Sequence, residues 1–286
     1  MNALQRALRS LDGLSVGDAF GELFFFISPD RATLADLPAG PWRWTDDTHM
    51  ALSIVEVLKK YGRVNQDALA SAFADRYLDE PHRGYGGGAR RLLARIATGA
   101  DWRKAAPALF DGGSCGNGAA MRVAPLGAFF ADDPERAAAE ARLSAVVTHA
   151  HPEGQAGAMA VAVAAALAAG PAWPTGRDFI EAVTGFVPEG ETRDGLLMAM
   201  EIPPGALSQA VRILGAGNRV TAQDTVPFCV WVAAHHLESY EDALWMTAKG
   251  HGDCDTTCAI VGGIVSMSAP EIPVELLRRR EPLPAI

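Results

Sequence analysis

Apolar residues recur along this chain at helical spacing. Leu4, Leu8 and Leu11 stand at i, i+4 and i+7 with arginines on the other face, which predicts an amphipathic helix over 2–14. The same period predicts helices over 48–60 (Ala51, Ile54, Val55 and Leu58 on one face), 67–78, 89–98 and 134–147. An alanine-rich stretch carrying Gly154 and Gly157 ends at Gly170-Pro171 and reads as the packed centre of a bundle. Short helices fill 172–218. Pro227 begins an apolar helix over 228–237, and helices over 240–249 and 257–267 follow. Residues 28–43, with Pro29, Pro38, Gly40 and Pro41, read as a loop or flap. The arginines of 278–282 read as a solvated tail. No stretch has the period of a strand. The expectation is an all-α fold, a compact orthogonal helical bundle, in one domain over 1–286.

Composition narrows the function classes. The chain has 286 residues, 49% apolar and 21% charged, ordinary for a soluble globular protein with a large core. A net charge of −9 argues against general nucleic-acid binding, which needs a basic surface. The apolar run 156–169 is mostly alanine and too short to span a bilayer, so no membrane role is expected. The N-terminus lacks the layout of a secretory leader. Cys115, Cys229, Cys254 and Cys258 form no CxxC pair, and a reducing, cytoplasmic location is expected.

The candidate chemistry lies in two acidic runs. Trp44-Thr45-Asp46-Asp47-Thr48 sets a hydroxyl, two carboxylates and another hydroxyl in front of a helix. Alone it reads first as an N-cap, although a cap needs one such side chain. Asp253-Cys254-Asp255-Thr256-Thr257 repeats the chemistry near the other end. In an extended or loop backbone, its one-residue spacing would turn both carboxylates to the same side. Adjacent carboxylates repel unless a cation compensates them. Together the runs offer four aspartates and two threonine hydroxyls, a hard-oxygen set suited to magnesium, manganese or calcium.

Other features are more equivocal. Glu22 lies beside the apolar patch 23–27, where a carboxylate is costly unless paired or functional, or else it faces solvent at a helix end. Asp111-Gly112-Gly113-Ser114-Cys115-Gly116-Asn117-Gly118 is either a long turn or a cradle of amides for a diphosphate or ribose. Arg83-Gly84-Tyr85-Gly86-Gly87-Gly88 opens a helix and is either an anion site or a flexible joint. His149 and His151 are more often polar contacts at a helix start than metal ligands. One of them could hydrogen-bond a ligand.

In order and spacing, these runs resemble the ADP-ribosylglycohydrolase family. The matching stretches are Gly17 to Glu22, Trp44 to Thr48, Arg83 to Gly86, Gly116 to Arg122, Thr148-His149 and Gly252 to Thr256. The resemblance implies two magnesium ions, with manganese able to substitute. Thr45, Asp46 and Asp47 would be one ligand set, and Asp253, Asp255 and Thr256 the other. It implies catalytic roles for Glu22, Asp46 and Asp255. Gly86, Gly113, Ser114, Cys115, Gly116, Asn117 and His149 would contact the substrate. The implied reaction is hydrolysis of the bond between ADP-ribose and its acceptor, a modified protein side chain or O-linked group, by a monomer. A non-catalytic ADP-ribose-binding or structural member, or a hydrolase of another ribosyl compound, is the alternative. Cys254, where the family favours threonine, and His251, where it favours glycine, depart from the pattern beside the ligand positions.

Overall fold

In the first helix, glycines recur every fourth residue at positions 13, 17 and 21, and they decide how the chain packs. The computed structural model describes residues 1–170 and 174–286, and this helix, α1, runs over Ala3–Glu22. It does not stop at 14, because its glycines are a contact surface and not a break. A Cβ on Gly17 would lie 2.0 Å from the Cys258 carbonyl oxygen, and one on Gly21 2.2 Å from that of Cys254. α1 therefore meets a helix near the far end of the chain backbone to backbone.

The next helices are α2 (Asp46–Tyr61), α3 (Gln66–Asp79), α4 (Gly87–Ala97), the short α5 (Trp102–Ala105) and α6 (Ala124–Phe129). Then come α7 (Pro134–Val146) and α8 (Pro152–Ala168). α8 is buried on nearly every side, as its alanine-rich composition predicts. Gly127 of α6 lies directly against it, where a Cβ would be 2.0 Å from the Ala162 oxygen. The expected stop at Pro171 lies outside the described residues. α9 (Gly176–Thr184), α10 (Glu191–Ala199) and α11 (Leu207–Leu214) are the short helices expected there.

α12 spans Ala222–His235, so Pro227 lies inside it and does not begin it. At the sixth position of the helix the proline forgoes the bond to the Gln223 carbonyl and crowds that oxygen. Its ring packs on Gly195, where a Cβ would be 2.6 Å from the proline Cγ. α13 (Tyr240–Ala248), α14 (Cys254–Val265) and α15 (Val274–Arg279) complete the order. Among the described residues there is no strand, and no helix is long and apolar enough to cross a membrane.

The tail is not solvated as expected. Glu281 N donates to the Trp42 oxygen at 2.8 Å, and Trp42 N donates to the Arg279 oxygen at 2.5 Å. Arg280 pairs with Asp12 at 3.5 Å and donates to Ser15 Oγ at 3.1 Å. Backbone groups left free by the 28–43 loop are satisfied by the tail, which a purely local reading could not see.

Candidate active site

Three helix ends converge on one acidic pocket. The glycine contact sets the C-terminal turn of α1, with Asp18 and Glu22, against the start of α14, with Asp253 and Asp255. The start of α2 brings Thr45, Asp46 and Asp47.

Capping at α2 is divided in a way the sequence hides. Thr45 is the N-cap, its Oγ1 accepting from Asp47 N at 3.4 Å. The larger share falls to Asp18, which is fully buried. Its carboxylate accepts from Thr45 N at 3.0 Å, Thr48 N at 3.0 Å and Thr48 Oγ1 at 2.5 Å. The orphan amides of the helix start are thus occupied from a different helix. Asp46 and Asp47 are left without capping duty. Thr45 Oγ1 donates to Asp47 Oδ2 at 3.1 Å, while Asp47 Oδ1 is buried with no partner.

At the other run, α14 begins at Cys254 and not at Thr257. Asp253 occupies the N-cap position and Asp255 lies in the first turn, so the extended spacing expected of them does not apply. Asp255 Oδ1 accepts from Thr256 N at 2.8 Å. Cys254 and Cys258 face the core, each Sγ near a backbone carbonyl, at 3.8 Å from Ala248 O and 3.9 Å from Leu244 O.

The electrostatics are those of crowded negative charge. Burial raises Asp18 to about 6, against its hydrogen bonds from Thr48 and Thr45. Burial and then repulsion from Asp18 raise Asp46 to about 7. Burial pushes Asp47 and Asp255 well above the carboxylate range, aided mainly by Asp255 for the first and Asp253 for the second. Glu22, half-buried, is raised by burial and by Asp18, with Arg43 opposing. Among the described residues none of these aspartates forms an ion pair with an arginine, lysine or histidine.

The donors are all oxygens, among the described residues no cationic side chain pairs with the aspartates, and one buried oxygen is orphaned. That chemistry fits hard divalent cations. No three His, Cys, Asp or Glu side chains among the described residues already enclose one point. Any cation would therefore also draw on the threonine hydroxyls, substrate or water.

The glycine-rich loop closes one side. Gly113 has φ +96°, and a Cβ there would meet His151 N at 2.6 Å. Ser114 Oγ accepts from Gly116 N at 3.1 Å, and the Cys115 oxygen accepts from Ala222 N at 2.9 Å. Asn117 turns its amide onto the acidic pocket, Nδ2 donating to Asp253 Oδ2 at 2.7 Å and Thr225 Oγ1 at 3.1 Å. His149 lies along the loop, with Nε2 3.1 Å from where a Gly118 Cβ would be. His151 is a helix cap, its Nδ1 accepting from Glu153 N at 3.1 Å.

The Arg83 run is mostly architectural. Arg83 pairs with Glu80 and Glu281, each at 2.7 Å, stacks on Trp44 at 3.5 Å and donates to the Trp44 oxygen at 3.2 Å. Gly84 has φ +99° and faces Asp46 Oδ1, which a Cβ would approach to 3.0 Å. Gly86 is the N-cap of α4, and a Cβ there would have open space around it.

The family model for ADP-ribosylglycohydrolase matches residues 1–282. This chain belongs to that family. Membership makes it a glycosyl hydrolase acting on ADP-ribose linkages. The chain is 28% identical to ADP-ribosylhydrolase ARH3 of Mus musculus, over 83% of this chain and 72% of the relative. It is 27% identical to ADP-ribosylarginine hydrolase Tri1 of Pseudomonas putida, over 91% and 69% respectively. An uncharacterized Archaeoglobus fulgidus protein is 29% identical over 94% of the chain and 90% of its own length. The fold matches an ADP-ribosylglycohydrolase-related protein complex with a TM-score of 0.73 and 24% identity, covering 98% of this chain and 93% of that one.

Proposed function

We propose that this family member is a magnesium-dependent hydrolase that releases ADP-ribose from a modified protein side chain or an O-linked acceptor, through a two-cation site. The supporting observation is the buried acidic pocket: oxygen donors only, no ion pair to its aspartates among the described residues, assembled from helix ends at opposite ends of the chain. Thr45, Asp46 and Asp47 would hold one cation and Asp253, Asp255 and Thr256 the other, and cations there supply Lewis acidity toward sugar hydroxyls and water.

The remaining work falls to the chain itself. Cleavage of a glycosidic bond develops positive charge on the sugar and needs a proton at the leaving atom. Glu22 keeps its proton to a higher pH than an ordinary carboxylate and stands at the pocket's edge. That suits it to protonate the acceptor as it leaves, or to orient water. Asp46 and Asp255 are the bases for the proton of the attacking water. The Gly113–Asn117 loop receives the diphosphate and distal ribose, with Asn117 tying that loop to Asp253.

A substrate panel tests the reading: ADP-ribosylated arginine and serine peptides, poly(ADP-ribose) and O-acetyl-ADP-ribose, with magnesium or with chelator. At least one substrate should release free ADP-ribose, only with the metal, and not with Asp46→Ala or Asp255→Ala. Turnover persisting in chelator, or with both aspartates removed, overturns the two-cation mechanism.

A further inference from the structure

Arg122 is a fully buried cation without an ion pair among the described residues. It lies over the Phe73 ring at 4.3 Å, and Nη1 sits 3.4 Å from Met50 Sδ. Its Nε has no partner. A buried unpaired guanidinium is expensive, and ordinary packing does not call for one. Its one short hydrogen bond explains where it acts. Nη2 donates to Thr148 Oγ1 at 2.8 Å, and the same Oγ1 lies 2.8 Å from His149 Nδ1.

We infer that Arg122 is a positioning residue that acts through Thr148 to hold His149 in its Nε2–H tautomer, as a hydrogen-bond donor facing the Gly116–Gly118 loop. The steps follow from donor and acceptor counts. A guanidinium only donates, so Thr148 Oγ1 must accept from it. The threonine has one proton to give. Among the described residues, His149 Nδ1 is the one other hydrogen-bond partner of this oxygen. Thr148 is nearly fully buried, so a hydroxyl proton left without an acceptor would be costly. Nδ1 must then be a bare acceptor, and the ring proton sits on Nε2. The reverse order, Nδ1–H donating to Oγ1, strands the hydroxyl proton.

The neighbouring charge favours the same outcome. Burial and then Arg122 push His149 down to about 3, so the ring stays neutral. Nε2 lies against the loop, 3.4 Å from where a Gly116 Cβ would be and 3.1 Å from a Gly118 Cβ. A neutral ring with its proton on this edge donates to an acceptor oxygen of a ligand seated on the loop. A ring in the other tautomer presents a lone pair and repels the same oxygen. Arg122 thus decides the sign of the contact without touching the ligand. The role of the ligand as ADP-ribose rests on the function proposed above; the tautomer does not.

The test separates the two. In protein labelled with 15N-histidine, without ligand, the His149 ring should show a protonated Nε2 and a bare Nδ1. Thr148→Val keeps the shape, removes the relay and should let His149 populate both tautomers. ADP-ribose binding by that variant should weaken by the inverse of the fraction of rings still protonated at Nε2. Thr148→Ser should restore both the tautomer and the affinity. Arg122→Lys keeps the charge but loses the fork, and a folded Arg122→Lys protein should show a mixture of tautomers. A wild-type ring protonated at Nδ1, or a tautomer unmoved in Thr148→Val, overturns the inference. The expected tautomer in a protein that does not bind ADP-ribose upholds the relay and overturns the functional reading instead.

Discussion

Asp46 and its neighbours hold protons that ordinary carboxylates would release. Without a bound cation, burial pushes Asp18 up to about 6 and Asp46 to about 7, against a usual 3.8, and raises Asp47 and Asp255 well above it. A carboxylate whose folded pKa is raised stabilises the fold fully only below its unfolded value. That contribution is lost as pH rises through the folded pKa. His49 and His149, lowered to about 4 and about 3, act in the opposite sense. They do so only below the unfolded value of 6.5. Above about pH 6.5 the histidines no longer contribute. Chelated protein should therefore lose stability as pH rises from about 6.5 through about 7 in urea titrations. Magnesium should reverse the loss, by about 2.7 kcal/mol at a hundredfold excess over its Kd. A chelated protein equally stable across that range would contradict the crowded-charge account. Much of the pocket was legible at this scale, since Thr45 to Asp47 and Asp253 to Thr256 advertise themselves by excess oxygen. Asp18 was not. A single aspartate between a glycine and an alanine has no local signature, and its partners lie 27 and 30 residues away.

Between elements, the contact of α1 with α14 sets the distance across the site. Gly17→Ala would place a methyl 2.0 Å from the Cys258 oxygen, with no flexible side chain to give way. It should destabilise the protein by about 1–3 kcal/mol, the usual cost of overpacking, and weaken magnesium binding as well. Calorimetric Tm and a metal titration would check both. Gly86→Ala has open space and should leave Tm unchanged; equal losses in the two variants would refute the close-approach account. Periodicity revealed most helices to within a turn. It failed where a helix surface is made of glycine, because small residues in α1 look like a break until the partner helix is seen. It failed again at Pro227, where Gly195 on a different helix makes room for the ring.

At the scale of the whole molecule, the tail reaches back to hold the first acidic run. Glu281 anchors Arg83, which stacks on Trp44 and bonds its carbonyl, one residue before Thr45. Glu281→Ala should cost about 1–2 kcal/mol, because Arg83 is buried but Glu281 is partly exposed. It should also raise the magnesium requirement for turnover, whereas Arg278→Ala, on an exposed residue, should do neither. Unchanged magnesium dependence in Glu281→Ala would free the tail from this role. The sequence could not reveal it, since three arginines and a glutamate near a terminus have the composition of any solvated end.

The pairing of α1 with α14 also governs when the protein can become active. Ser10 Oγ donates to the Gly263 oxygen across 253 positions of sequence. A ribosome must deliver the chain as far as α14 before that surface of α1 has this partner to pack against. Until then its glycines and apolar residues stay uncovered, and the two acidic runs cannot meet. Long-range closure of this kind is slow and leaves intermediates prone to associate. Activity should accordingly emerge only once α14 has been made, and nascent chains stalled before α14 should depend on chaperones and bind no magnesium.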